Sequence, residues 1–146
     1  MTHILFALSL SLATLPVITL ERSICFGTCP AYKISIYGDG LVIYEGREFV
    51  KTKGDADGRI TKEQVQQLVR EFEKIGYFKL ADEYSLDKNC PNAWTDAPTY
   101  ITSLTQNEKT KRVLHYQGCA GLPVLEQLTA LEDKIDEVVN TKRWIE

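Results

Sequence analysis

Basic charge, histidine and nucleotide-binding loops are what this sequence has least of, and each shortage removes a class of function. Seventeen Lys and Arg against twenty Asp and Glu leave a net charge of −3. With no basic excess to neutralise phosphates, nucleic acid is not an expected partner. Nor does any block of like charge run far enough to act as an interaction tail. A phosphate-cradling glycine loop, a dinucleotide fingerprint, a nucleophile elbow and a helix with paired zinc-ligating histidines are all missing. The chain therefore displays no complete catalytic constellation, and a non-enzymatic role is the leading expectation. Only two histidines occur, His3 and His115.

What is present is an ordinary globular composition, 44% hydrophobic and 25% charged over 146 residues. That length suits one domain with a core of its own. Met1 to Pro16 differs from the rest: Ile4 to Leu15 is apolar or small without a charge, and Ser11, Leu12 and Ala13 suit a signal peptidase. Residues 1–16 are read as a secretory signal peptide cut near Ala13, and residues 17–146 as a single exported domain, periplasmic or extracellular. A membrane anchor fits less well, because Pro16 interrupts the uncharged run to Leu20. An integral membrane protein is not expected.

Four cysteines, Cys25, Cys29, Cys90 and Cys119, form an even set in a small exported chain, the setting in which disulfides persist. Three pairings are open to them. The favoured one joins Cys25 to Cys29 and Cys90 to Cys119.

The hydrophobic pattern switches between periods of two and of about 3.6. Ala31 to Tyr37 alternates, Gly38-Asp39-Gly40 supplies a turn, and Leu41 to Glu45 resumes, which predicts a hairpin. Val17 to Arg22 is expected as a preceding strand, Gly46 as the start of another turn, Phe49 to Thr52 as an extension of the meander, and Gly54 to Gly58 as a break. Thr61 with Gln64 has capping-box spacing, and Val65, Leu68, Val69, Phe72 and Ile75 recur at helical intervals until Gly76. Ala81 to Pro98 reads as a long polar and aromatic loop carrying Cys90. Thr99 to Thr105 and Thr110 to Gln117 predict a second hairpin about a turn at Gln106 to Lys109. Pro123 then opens a final helix with the stripe Leu125, Leu128, Leu131, Ile135 and Val138. The expected class is α+β: an antiparallel sheet of hairpins with two amphipathic helices packed on it, in the order strands, helix, strands, helix.

Three segments could carry chemistry. Cys25-Phe26-Gly27-Thr28-Cys29-Pro30 pairs two soft sulfurs that, with His115, suit Cu(I), so copper binding or thiol redox work is the alternative function. Pro30 leads into a strand rather than a helix, however, which favours a structural bridge with no cofactor. His115 itself reads as a strand residue facing solvent or as a hydrogen-bond partner. Asp55-Ala56-Asp57-Gly58 imitates half of a calcium loop, but Lys53 and Gln64 fall where carboxylates are needed, which leaves a turn and a helix cap. Trp94 and Asp96 place an aromatic ring and a carboxylate in the long loop, the candidate ligand-binding pair. A hydrolase built on Asp96 would need a second acid beside it in a concave site.

Ile18-Thr19-Leu20-Glu21-Arg22, the Cys25 to Tyr32 segment, Ile36-Tyr37-Gly38-Asp39-Gly40, Thr95-Asp96-Ala97-Pro98-Thr99, and the closing Leu131 to Asp136 with Lys142-Arg143-Trp144 together resemble a bacterial family of unknown function, DUF6438. The resemblance extends over nearly all of the chain after the leader. It implies an exported or envelope-associated domain and supplies no catalytic residues. The leading expectation is thus a binding module for a protein or envelope component, stapled by its cysteines.

Overall fold

The computed structural model describes residues 14–146; most of the expected signal peptide, with the cleavage point expected near Ala13, lies outside the described residues. Strands β1 (Ile18–Arg22), β2 (Ala31–Ile36), β3 (Leu41–Glu48) and β4 (Gly54–Arg59) precede helix α1 (Lys62–Lys74). Then come β5 (Glu83–Tyr84), β6 (Asn92–Ala93), the hairpin β7 (Thr99–Gln106) and β8 (Lys109–Tyr116), and β9 (Cys119–Ala120), followed by α2 (Pro123–Val139) and the short α3 (Lys142–Ile145). Seven strands form one sheet in the order β4-β3-β2-β1-β7-β8-β5, while β6 and β9 make a separate ribbon. All pairings are antiparallel except that of β5 with β8. The chain is α+β as its periodicity predicts.

Alternation explains the layering. Ile18, Leu20, Ile34, Ile36, Val42, Tyr44, Leu104 and Val113 are buried, whereas intervening Thr19, Ser35, Ile43, Ser103 and Leu114 are only half-buried. The buried set meets Val65, Leu68 and Phe72 of α1 and Leu125, Leu128, Leu131 and Ile135 of α2 in a single core. In α2 it is Val139 that is buried, while Val138 packs only at the margin.

Local chemistry sets the element ends. The Gln64 N–H donates to Thr61 Oγ1 at 3.0 Å and the Thr61 N–H to Gln64 Oε1 at 2.8 Å, a complete capping box. Thr61→Ala should cost about 1 kcal/mol in a urea titration, and Thr61→Ser very little. Gly76 closes the helix with a left-handed φ of 63°. Asn107 and Glu108 both adopt positive φ, 51° and 64°, which suits a two-residue hairpin, so the β7–β8 strands run one residue further on each side than the polar stretch suggests.

The segment from Gly46 to Gly58 differs from expectation. Gly46 is not a turn but lies inside β3, opposite both Tyr32 and Gly54. Its lack of a Cβ is what lets Tyr44 reach across to donate to the Thr52 carbonyl at 2.9 Å, since a Cβ there would collide with that carbonyl and with the Tyr44 ring. Phe49 to Thr52 is not strand: Phe49 has a φ of 54°, and the bend is clamped to α3 by Thr52 N–H donating to the Trp144 carbonyl at 2.8 Å. Gly54 to Gly58 is not a break but most of β4, paired residue by residue with β3. Backbone ladder bonds need no favourable side chains, and an edge strand rich in Gly and Asp resists further pairing. The turn half of the reading at Asp55 to Gly58 is thereby replaced, and the helix-cap half stands.

Candidate functional site

β8 delivers His115 to the core side of the sheet by the same alternation that buries Val113 two residues earlier. Helix α2 presents Glu132 to it. His115 Nδ1 lies 2.7 and 3.0 Å from the two Glu132 carboxylate oxygens, and the two residues are 3% and 1% exposed. The solvent-facing option for His115 is therefore corrected: a ring at an inward register is almost wholly buried, and it serves instead as a hydrogen-bond partner. Gln117 completes the group, its Nε2 donating to Glu132 at 3.3 and 3.4 Å and to the His115 carbonyl at 3.3 Å. Burial pushes the Glu132 carboxyl above its ordinary range, with His115 the main influence pulling it back. A lone charge at this depth would be severely penalised, so Glu132 and His115 form a pair that is neutral as a whole.

His115 and Gln117 of this group line a cleft of about 670 Å³. Trp94 lines it too, as do Leu122, Leu125 and Glu126 of the α2 entrance. Trp94 is 58% exposed, but its backbone is tightly held. The Trp94 N–H donates to the Gly118 carbonyl at 3.0 Å, and Tyr116 Oη donates to the Trp94 carbonyl at 2.8 Å. Gly118 makes this approach feasible, because a Cβ there would strike the Trp94 carbonyl. Just before Trp94, β6 pairs with β9, and the Cys90–Cys119 disulfide fastens the ribbon, with Cys119 itself in the cleft wall.

Cys25 and Cys29 form the second disulfide, with Cα atoms 5.6 Å apart. Its loop docks beside the Trp94 segment through Phe26 N–H, which donates to the Asp96 carbonyl at 3.4 Å and leaves the Phe26 ring 88% exposed. Asp96 is exposed, has a φ of 71° and does not line the cleft. Of the candidate binding pair, then, only Trp94 reaches the cleft. The sulfurs of Cys25 and Cys29 are bonded to each other and His115 Nδ1 faces Glu132, so the three candidate copper ligands are each otherwise engaged. Among the described residues no group of three or more His, Cys, Asp or Glu is gathered to hold a metal ion.

A second polar cluster fastens α2 to the sheet. Arg22, on the inward register of β1, donates to Asp136 from Nε at 2.8 Å and to Asp133 from Nη2 at 3.1 Å, and lies 4.0 Å over the Tyr100 ring. Tyr32 Oη also donates to Asp136, at 2.8 Å. Burial works against the Arg22 charge, but Asp136 above all holds its proton more firmly than usual; burial and Asp136 together raise the Tyr32 hydroxyl.

Glu132 and Gln117 escape a reading of the sequence alone, yet Glu132 leaves a trace. Leu125, Leu128, Glu132, Ile135 and Val139 follow the 3-4-3-4 spacing of a buried stripe, and a carboxylate at such a position needs a buried partner. His115, two residues beyond Val113 in an alternating strand, is the matching signal.

Residues 16–139 match the family model of DUF6438, described as a domain of unknown function. No curated protein matches the chain. No helix among the described residues is long and apolar enough to cross a membrane.

Proposed function

The chain belongs to the DUF6438 family, and we propose that it works as an exported, non-enzymatic binding module whose ligand docks in the cleft between Trp94 and the start of α2. The observation that carries this reading is one cleft lined both by the exposed Trp94 and by His115 and part-buried Gln117, which hydrogen-bond to the buried Glu132 behind them. A mostly apolar concavity of about 670 Å³ with a few convergent polar groups has the size and character of a small-ligand site. Binding is favoured over catalysis because His115 has no nucleophile beside it in the lining: Cys119 is in a disulfide, and the Thr129 hydroxyl donates to the Leu125 carbonyl at 3.1 Å. Export is supported by the apolar Ile4 to Leu15 stretch and by two disulfides, which persist in oxidising compartments.

A small-molecule fragment screen read by two-dimensional NMR tests the site. Trp94 and Trp144 report separately, because Trp144 is buried and stacked on Tyr44 at 4.7 Å. Binders should shift the Trp94 indole and the His115 and Gln117 signals, leave Trp144 in place, and lose their effect in Trp94→Ala. Binders that map to another face, or an absence of saturable shifts at Trp94, would remove the reading.

A further inference from the structure

We infer that the cleft selects a cationic nitrogen group, an alkylammonium or a guanidinium; this rests on the cleft being the ligand site. The charge balance of the lining sets the sign. No Lys or Arg lines the cleft, and its titratable members are His115 and Glu126. His115 is matched by Glu132 in a pair that is neutral as a whole, so the Glu126 carboxylate leaves the cleft with a net negative charge.

The free atom of Gln117 agrees with that sign. Gln117 spends its Nε2 on Glu132 and on the His115 carbonyl, which leaves Oε1, an acceptor, as the atom it has to offer. With Nδ1 turned to Glu132, His115 has Nε2 for a ligand, and in a pair that is neutral as a whole that atom carries the ring hydrogen and donates, as a ligand carbonyl requires. The exposed Trp94 ring supplies the face over which a cation is attracted. Beside that uncharged donor, only the start of α2 argues for an anion, and it argues weakly. Pro123 has no N–H, the Leu125 N–H is taken by the Leu122 carbonyl at 3.1 Å, and Glu126 in the first turn already complements the helix dipole. An anion would meet Glu126 with no basic side chain in the lining to offset it.

The same chemistry is carried by basic side chains of a peptide and by free amines. The purified, oxidised protein is titrated with N-acetyl-arginine methylamide, N-acetyl-lysine methylamide and 1,5-diaminopentane, and saturation is followed at the Trp94 indole. The neutral isostere N-acetyl-citrulline methylamide, the anionic N-acetyl-glutamate methylamide and methyl glucoside serve as comparisons. At least one cationic probe should saturate, more tightly than citrulline, and Glu126→Gln, at an exposed helix position, should weaken it by about fivefold. Preference for the amino-acid amides over the diamine assigns the group to a peptide side chain, and the reverse preference to a free amine. Citrulline binding as well as arginine, or glutamate or glucoside binding better, overturns the cation assignment while keeping the cleft as a ligand site. If nothing in either set moves Trp94, the assignment falls together with the binding reading beneath it.

Discussion

Glu132→Ala should lower the free energy of unfolding by about 3–5 kcal/mol, the range seen when one member of a buried pair is removed and the other stays behind. His115 would remain at 3% exposure with Nδ1 facing an empty position. Glu132→Gln keeps a hydrogen-bonding amide opposite Nδ1 and should cost less, about 1–3 kcal/mol. The double change His115→Phe with Glu132→Leu removes both polar members and should recover much of the loss, since a packed apolar pair often equals a buried ionic one. Urea unfolding of the four proteins measures these values. A Glu132→Ala effect below about 1 kcal/mol would mean that the pair does not depend on burial as described.

The same residue gives a pH signature. Burial raises the Glu132 carboxyl above its ordinary value of 4.5. The native state therefore binds that proton more tightly than the unfolded chain does. Its contribution is fully present below the unfolded value and is lost as pH rises through the raised native one. Other carboxylates act oppositely: Asp82, held low by its hydrogen bond to Lys111, favours the native state at higher pH. The informative quantity is thus the difference in unfolding free energy between the native sequence and Glu132→Gln. It should shrink as pH rises from about 4.5. A difference that stays flat or grows would place the ionised carboxylate as the stable buried form.

The elements that the sequence reveals are those whose signal is local. The hairpin about Gly38-Asp39-Gly40, the Thr61–Gln64 cap and the two amphipathic stripes each depend on residues a few positions apart. β4 is illegible for the opposite reason. Gly54-Asp55-Ala56-Asp57-Gly58-Arg59 has almost no strand preference and is held by ladder bonds to β3, so its conformation is set by a neighbour rather than by its own side chains. The site divides in the same way. Trp94 stands out as an exposed aromatic in a long loop, but the cleft is assembled from β8, β9, the Trp94 segment and α2, and no local pattern joins them. Asp96, close to Trp94 in sequence, lies outside the cleft with a positive φ, and its carbonyl accepts from the Phe26 N–H of the Cys25–Cys29 loop.

Removing the Cys90–Cys119 bridge by the double change Cys90→Ala and Cys119→Ala should cost about 3.5 kcal/mol, against about 2 kcal/mol for the Cys25–Cys29 pair. The sequence separations are 29 and 4, and a bridge closing the longer loop removes more freedom from the unfolded chain. Double replacements are needed, since a single one leaves a free thiol to mispair. The functional contrast should be sharper than the energetic one. β6 and β9 are two residues each, too short to hold as a ribbon without their bridge, and Trp94 follows directly on β6. Without Cys90–Cys119 the Trp94 backbone itself is held through its bonds to Gly118 and Tyr116, so the Trp94 indole signal should broaden or multiply and cleft binding should weaken, while Trp144 remains sharp. Loss of Cys25–Cys29 should leave Trp94 and its ligands largely unaffected, because that loop meets the segment at Asp96, outside the cleft. If the two double variants disturb Trp94 equally, the bridges are stability devices of one kind. If only the Cys90–Cys119 variant does, that disulfide is part of the binding site, and a reducing environment would disable binding before it unfolds the protein.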